Sequence, residues 1–504
     1  MHGKIPSLLV VGAFLLATPA SADTLREALA RAYQTNPTIT GARAGQRAVD
    51  ENVPIARAAG LPSASAGGSY SENLLRSGNS LSSPARSASA DTSLVVPIYR
   101  GGAVRNSLRA AETRADAGRL GLRGTESDLF TDVVAAYNDV IRDEAVVGLN
   151  HQNVRVLEIN LRASRDRFQV GDLTRTDVAQ SEARLSIARG QLQSAEARLI
   201  SSRENYIRVV GAPPGTLAEP PPLPNLPVSV DAAVAQALAD NPFLLAAARQ
   251  RDATRYDIGI ARAARLPQVS GVVGGSYTNF LGSLGSGTGV RVGQDGASGN
   301  VGLSLSLPLF QGGRPGAQVR QAEARRSQAI EAVTETERAV IAQARSAFAV
   351  YRSSLEVIAS SQNAVNANRL SLEGVRAENS VGTRTILDIL NAEQELLNSQ
   401  VTLVTARRDA YVAGFALLAA MGNAEARDLG LDGGALYDPM LNYNRVRRRI
   451  NDFASDGEPA PVATGTTLTP SQDAAVTRPL EPALGTPVDR TRSLSTGSAS
   501  PNRQ

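Results

Sequence analysis

The sequence predicts a mainly α-helical chain with a small share of β-structure, duplicated so that each half carries two helical columns and two strands. Three observations lead there. Residues 169–189, QVGDLTRTDVAQSEARLSIAR, lie without a gap over 380–400, SVGTRTILDILNAEQELLNSQ. Val170-Gly171 then falls on Val381-Gly382, Asp177 on Asp388, Glu182 on Glu393 and Leu185 on Leu396. After each Val-Gly pair, large apolar and small residues recur every seven positions. Far from those pairs, Gly- and Ser-rich segments come two to each half.

In chain order, the opening MHGKIPSLLVVGAFLLATPASADT joins Lys4, an apolar stretch from Leu8 to Ala17 and the small residues Ala20-Ser21-Ala22. That pattern predicts an export signal over 1–22, with the mature chain starting at Asp23. The run is shorter than the about 18 residues a spanning helix needs, and no later segment reaches that length. LREALARAYQTNPTI at 25–39 is echoed by VDAAVAQALADNPFL at 230–244. Both read as helix, Asn-Pro break, helix, because Pro37 and Pro242 suit a first helical position whose N–H has no partner. Leu61-Pro62 and Leu266-Pro267 end the second helices, since a residue before proline is pushed out of the α region. Strands follow over about 61–100 and 266–311. The clearest is Val301, Leu303, Leu305, Leu307 and Leu309 alternating with Gly302, Ser304, Ser306 and Pro308, a period of two.

Beyond Gly101-Gly102 and Gly312-Gly313 the pattern turns helical. From Gly102 to Val170 is about 69 residues, roughly 100 Å as one helix. Gly118, Gly121, Gly124 and Gly148 argue for interruptions in it. The helices after the Val-Gly pairs carry heptads. Val178, Leu185, Leu192, Leu199 and Tyr206 run beside Ser181, Ala188, Ala195, Ser202 and Val209. In the second half, Ile389, Leu396, Leu403, Ala410 and Leu417 run beside Ala392, Ser399, Ala406, Ala413 and Ala420. One large and one small row make a coiled-coil seam with close backbones. A helix of about 39 residues, roughly 59 Å, stacked on one of about 23, roughly 35 Å, nearly equals the long helix. Four columns of uniform height result, with Gly171 and Gly382 reversing the chain at one end and the strands at the other. Four strands have two open edges, and the smallest transmembrane barrels have about eight, so strands that span a membrane require an oligomer. The expected organisation is a signal peptide (1–22), a first repeat (23–228), a second repeat with a C-terminal segment (229–451) and a disordered tail rich in Pro, Ser, Thr and Gly (452–504).

Composition excludes several classes. The 504 residues contain no Cys and no Trp, and aromatics are 4%, which suits helices packed through small residues. The net charge of +4 comes from arginines interspersed with acids, the pattern of solvated helix faces and not of a nucleic-acid site. His151 is the one histidine of the mature chain and stands without a nucleophile-elbow motif. The paired glycines lack the spacing of a phosphate loop, and no cluster has metal-ligand spacing. No catalytic, cofactor or metal site is expected.

VGTRTILDILNAEQELLNSQ and SLPLFQGGRPGAQVRQAE resemble the signature segments of TolC-type outer-membrane channels, over about Asp23 to Gly422, and LYDPMLNYNRVRRR at 436–449 is similar to the segment that follows the last helix in type I secretion members. The resemblance implies a homotrimer with a 12-stranded barrel in outer-membrane lipid on a 12-helix periplasmic cylinder. It implies a passive exit duct of a type I secretion or multidrug efflux system, without chemistry or cofactor. A periplasmic adaptor and an inner-membrane ABC or RND transporter would be its partners. It places the tip turns and adaptor contact at Val170, Gly171, Val381, Gly382 and Thr383. It places closing links at Arg384, with Asp177 and Thr176 as partners, and at Asn379, where the best-known pattern has tyrosine. The pore constriction falls on Asp388 and on Asn391, the latter standing where the family has a second acid. Read from the residues alone, Asp177 and Asp388 equally suit the first turn of a helix, where the macrodipole favours anions. The alternative is a periplasmic coiled-coil adaptor or scaffold without a pore. It accounts for the heptads and the export signal but not for the paired strands.

Overall fold

A computed structural model describes residues 23–75, 81, 83–286, 288–289, 291–431 and 436–485. The expected export signal and residues 486–504 of the expected tail lie outside the described residues. The first half runs α1 (Leu25–Thr35), α2 (Pro37–Asp50), α3 (Asn52–Ala58), β1 (Ser63–Glu72), β2 (Arg86–Arg100), α4 (Ala103–Gln169) and α5 (Arg175–Val210). The second half repeats it as α6 (Val230–Asp240), α7 (Pro242–Ala263), β3 (Gln268–Asn279), β4 (Asp295–Ser306), α8 (Arg314–Ser380) and α9 (Ile386–Ala420), and α10 (Pro439–Val446) follows. The helix expected over Pro37–Ala59 is split at Glu51. Pro54 has no N–H to give the carbonyl four residues back, at Asp50. No proline interrupts α7 after its start, and it is continuous.

Both long helices are unbroken at 67 residues, roughly 100 Å. Gly118 and Gly124 of α4 serve close approach and not interruption. A Cβ at Gly118 would stand 2.3 Å from the Gln46 side chain of α2, and one at Gly124 would stand 2.7 Å from the Phe243 ring of α7.

The Asn-Pro motifs join short helices into columns. Asn36 accepts from the Thr38 N–H (2.8 Å) to cap α2, while its amide donates to the Val209 carbonyl (2.7 Å) near the end of α5. Asn241 does the same, accepting from the Phe243 N–H (3.0 Å) and donating to the Ala420 carbonyl (3.0 Å) at the end of α9. One side chain thus satisfies an orphan donor of one helix and an orphan acceptor of the next.

α4 packs on α2 and α5 along one side and on α7 and α9 along the other, and α8 packs on α7 and α9. The columns therefore stand in the order α5–α2, α4, α9–α7, α8. The predicted heptad rows form the seams: Leu185, Leu192, Leu199 and Tyr206 are buried, as are Leu396, Leu403, Ala410 and Leu417. At the equator, where short helices meet, the scarce aromatics gather. Tyr33 and Phe130 lie 6.0 Å apart and Tyr137 and Tyr206 lie 6.4 Å apart. The Tyr137 hydroxyl reaches the carbonyls of Asp23 (2.9 Å) and Ala218 (2.7 Å), tying both linkers to α4.

The strands form one antiparallel sheet in the order β1-β2-β3-β4. Its register segregates the faces. Ser65 pairs with Ser93, Ser69 with Ser89 and Ser276 with Ser298, each with hydroxyls 2.8 Å apart, on one face. The other face carries Tyr70, Leu94, Val273, Tyr277, Val301, Leu303 and Leu305, all exposed in the single chain. The register shifts between Pro97 and Tyr99, where proline cannot donate to the ladder and Ile98 is the extra residue. Among the described residues no helix is long and apolar enough to cross a membrane.

Composition predicts disorder from residue 452 onward. The structure instead lays residues 472–485 along the helical wall, with Leu484 buried. The groups that hold this segment are mostly arginine and glutamine side chains on its backbone carbonyls, which composition and periodicity do not register.

Candidate functional site: the helical tip

Two turns of one design close the end of the wall opposite the sheet. α4 ends at Val170 and Gly171 (φ +81°), and α8 ends at Val381 and Gly382 (φ +84°), left-handed positions that favour glycine. Each next helix opens with a capping box. Thr174 accepts from the Asp177 N–H (3.2 Å), and the Asp177 carboxylate accepts from the Thr174 N–H (2.9 Å) and hydroxyl (2.7 Å). Thr385 and Asp388 repeat this at 3.3, 2.9 and 2.8 Å. The Thr174 hydroxyl and N–H hold the Asp177 carboxyl below its ordinary range, and the Thr385 N–H and hydroxyl do so for Asp388. Val170 and Val381 are 80% and 75% exposed, so the tip offers water two valines per chain.

Within the single chain the residues expected to close the entrance have partners on their own hairpins, with one exception. Arg384 donates to Glu378 (2.7 Å) on its own hairpin, and Thr383 donates to the Glu378 carbonyl (2.9 Å). Asn379, at 9% exposure, donates to the Arg384 carbonyl (2.7 Å) and so fixes the turn. Asp177 is taken by Thr174, and Thr176 is exposed. Asn391 is the exception that crosses columns, accepting from Arg184 of α5 (2.6 Å).

One buried link near the tip joins three columns, and spacing did not single it out. Glu393 of α9 accepts from the Asn160 amide of α4 (3.0 and 2.9 Å) and from Arg376 of α8 (3.1 Å). The repeat contains a signal for it: Arg165 and Glu182 in the first half match Arg376 and Glu393 in the second. The first pair, 2.6 Å apart, is 57% and 48% exposed; the second is 20% and 4% exposed. The difference is position in the wall. α9 is flanked on both sides, whereas α5 is an outer column with nothing beyond it.

Burial is the largest influence on the Glu393 carboxyl and raises it above the ordinary 4.5, against Asn160 and Arg376. The folded tip therefore holds this proton more tightly than the unfolded chain does. The resulting stabilisation is complete below the ordinary value and is lost as pH rises through the raised one. Thermal melts of the detergent-solubilised protein across that window are expected to show stability rising on acidification. Glu393→Gln should flatten that segment, and an unchanged slope would remove Glu393 from the account.

Among the described residues no group of His, Cys, Asp and Glu is placed to hold a metal ion.

The family model for the outer membrane efflux protein matches residues 28–212 and 233–423. Outer membrane efflux protein BepC of Brucella suis is 34% identical over 441 residues, covering 88% of this chain and 94% of that protein. Outer membrane protein TolC of Escherichia coli is 28% identical over 485 residues, covering 92% and 97%. The crystal structure of the Campylobacter jejuni CmeC outer membrane channel superposes with a TM-score of 0.70 at 16% identity, over 90% of this chain and 98% of that one. With a helical wall, a face-segregated sheet and a doubled tip that agree with these matches along nearly its whole length, the chain belongs to the outer membrane efflux protein family.

Proposed function

We propose that three copies of this chain form an outer-membrane channel, the exit duct of a tripartite efflux or type I secretion system. One observation carries the reading: wall and sheet are left open along the same two sides. In the sheet, β1 and β4 are edges. In the wall, α8 has 8 buried residues and α4 has 25, at equal length, so α8 lacks a neighbour along one face. On the other side, α5 leaves Glu182 exposed where α9 has Glu393 covered by α4. A second copy placed with its α5 and β1 against α8 and β4 satisfies both layers with one contact, and repetition closes a ring. Three copies supply 12 strands, above the about eight a barrel requires. The serine face then lines the lumen and the apolar face meets lipid.

The duct is passive. A periplasmic adaptor and an inner-membrane ABC or RND transporter engage it at the tip, where Val170, Gly171, Val381, Gly382 and Thr383 offer contact, and opening spreads the tip helices. Arg384, Asp177, Thr176 and Asn379 are proposed to link neighbouring copies in the closed state. Asp388, with Asn391 one turn on, narrows the pore. Three Asp388 carboxylates around one axis favour cations.

Heat-modifiable trimers in the outer-membrane fraction that conduct in planar bilayers are the expected result. A soluble periplasmic species would favour the scaffold instead. Asp388→Asn should reduce the cation preference of the wild-type pore. Identical reversal potentials in a salt gradient would take Asp388 out of the constriction.

A further inference from the structure

Between equator and tip, residues 473–484 cross one face of the wall, column by column. Arg203 of α5 donates to the carbonyls of Asp473 (2.9 Å) and Ala475 (2.6 Å). Thr477 donates to Glu144 of α4 (3.0 Å), and Leu480 lies against Gly148 one turn further along. Arg407 of α9 pairs with Glu481 (2.6 Å), Arg369 of α8 donates to the Ala483 carbonyl, and Gln400 of α9 donates to the Leu484 carbonyl (2.7 Å). The Leu484 side chain, 3% exposed, joins an apolar cluster with Leu149, Val365 and Leu403. The nine residues Asp473 to Glu481 reach about 30 Å when extended, and the turn of 3-10 helix at Pro482–Leu484 adds roughly 6 Å. Four columns spaced by about 8–10 Å span roughly 30 Å, so the segment crosses with little slack.

Two features make this contact firm yet reversible. Four main-chain carbonyls are taken by side chains of the wall, which holds the segment in place through its backbone. Beneath its upper half lies a charged pair and not an apolar core. Arg203 and Glu144 are 2.5 Å apart with side chains 6% and 2% exposed, and Arg203 Nε and Glu144 Oε2 have no hydrogen-bond partner. Lifting the segment returns these groups to water, which solvates them well. Leu480 and Leu484 are the apolar anchors that resist.

We propose that residues 473–484 are a releasable strap, tying all four columns together on a slant that runs from roughly 40 Å above the tip at Arg203 to roughly 15–20 Å at Arg369 and Gln400, which must leave before the entrance can widen. This rests on the reading above that the wall bounds a channel opened at its tip. Trimers truncated after Ser471 are expected to conduct at least twofold more than full-length trimers in planar bilayers; equal conductance overturns the proposal. A second arm keeps the whole chain. It has no cysteine, and a Cβ built at Gly148 lies 4.0 Å from that of Leu480, within disulfide reach. Gly148→Cys combined with Leu480→Cys should lower export through the channel at least tenfold relative to either single variant once oxidised, with recovery on reduction. Normal export with the disulfide formed overturns the strap. A full-length chain that gives no conductance at all removes the channel reading, and the strap's role with it.

Discussion

Leu303→Arg is expected to abolish heat-modifiable trimers in the outer membrane, while Ser304→Arg leaves them in place. The two residues are neighbours on edge strand β4 but face opposite ways. Leu303 is 78% exposed in the single chain, in a row with Val301 and Leu305, and its cross-strand partner is Gly271. Ser304 pairs with Ser270, on the face that carries the serine ladder. An arginine on the lipid face costs up to about 2–4 kcal/mol, most at mid-membrane, and three copies suffer it together. An arginine on the lumen face stays in water. Equal loss of trimers in both variants would mean that β4 is merely intolerant of arginine and would remove the assignment of faces.

Gly422→Ala is expected to lower stability far more than Gly211→Ala, although the two glycines follow equivalent helices. Both are left-handed, at φ +80° and +86°. A Cβ at Gly422 would stand 2.4 Å from the Asp240 carbonyl oxygen and 2.7 Å from its carbon, both backbone atoms beside the Asn241 junction. A Cβ at Gly211 would meet only the hydroxyls of Thr464 and Thr35, at 3.2 and 3.3 Å, which can turn aside. The left-handed conformation costs a non-glycine residue about 1–2 kcal/mol, and overpacking a fixed neighbour about 1–3 kcal/mol more. Gly422→Ala should therefore cost about 2–5 kcal/mol and Gly211→Ala about 1–2 kcal/mol. Thermal midpoints of the two purified variants check this, and equal midpoints would place the strain in the backbone dihedral alone.

Much of the fold was legible because it is written in local pattern. The heptad rows after Val170-Gly171 and Val381-Gly382 became the seams of the wall. Pro37 and Pro242 marked the column junctions, though the part played by the preceding asparagine rests on its second partner, a carbonyl on another helix. The helical glycines misled: read as interruptions, Gly118 and Gly124 are points where another column comes close. The tip was legible as two matched turns but not as a set of links. Arg165 with Glu182 and Arg376 with Glu393 share one spacing, and only the place of each hairpin in the wall makes the first exposed and the second buried.

The sequence by itself determined that the chain is a duplicated helical protein with four strands, where each column turns, which face of the helix after each Val-Gly pair is apolar, and which family it resembles. Periodicity, glycine and proline act within a few residues and need no knowledge of neighbours. The tertiary structure alone decided the order of the columns, the segregation of the sheet's faces, the burial of Glu393 among three helices and the path of the C-terminal strap. Those depend on which groups from distant parts of the chain share a space, and a hydrogen bond or a buried charge is defined by its partner, not by its position in the chain.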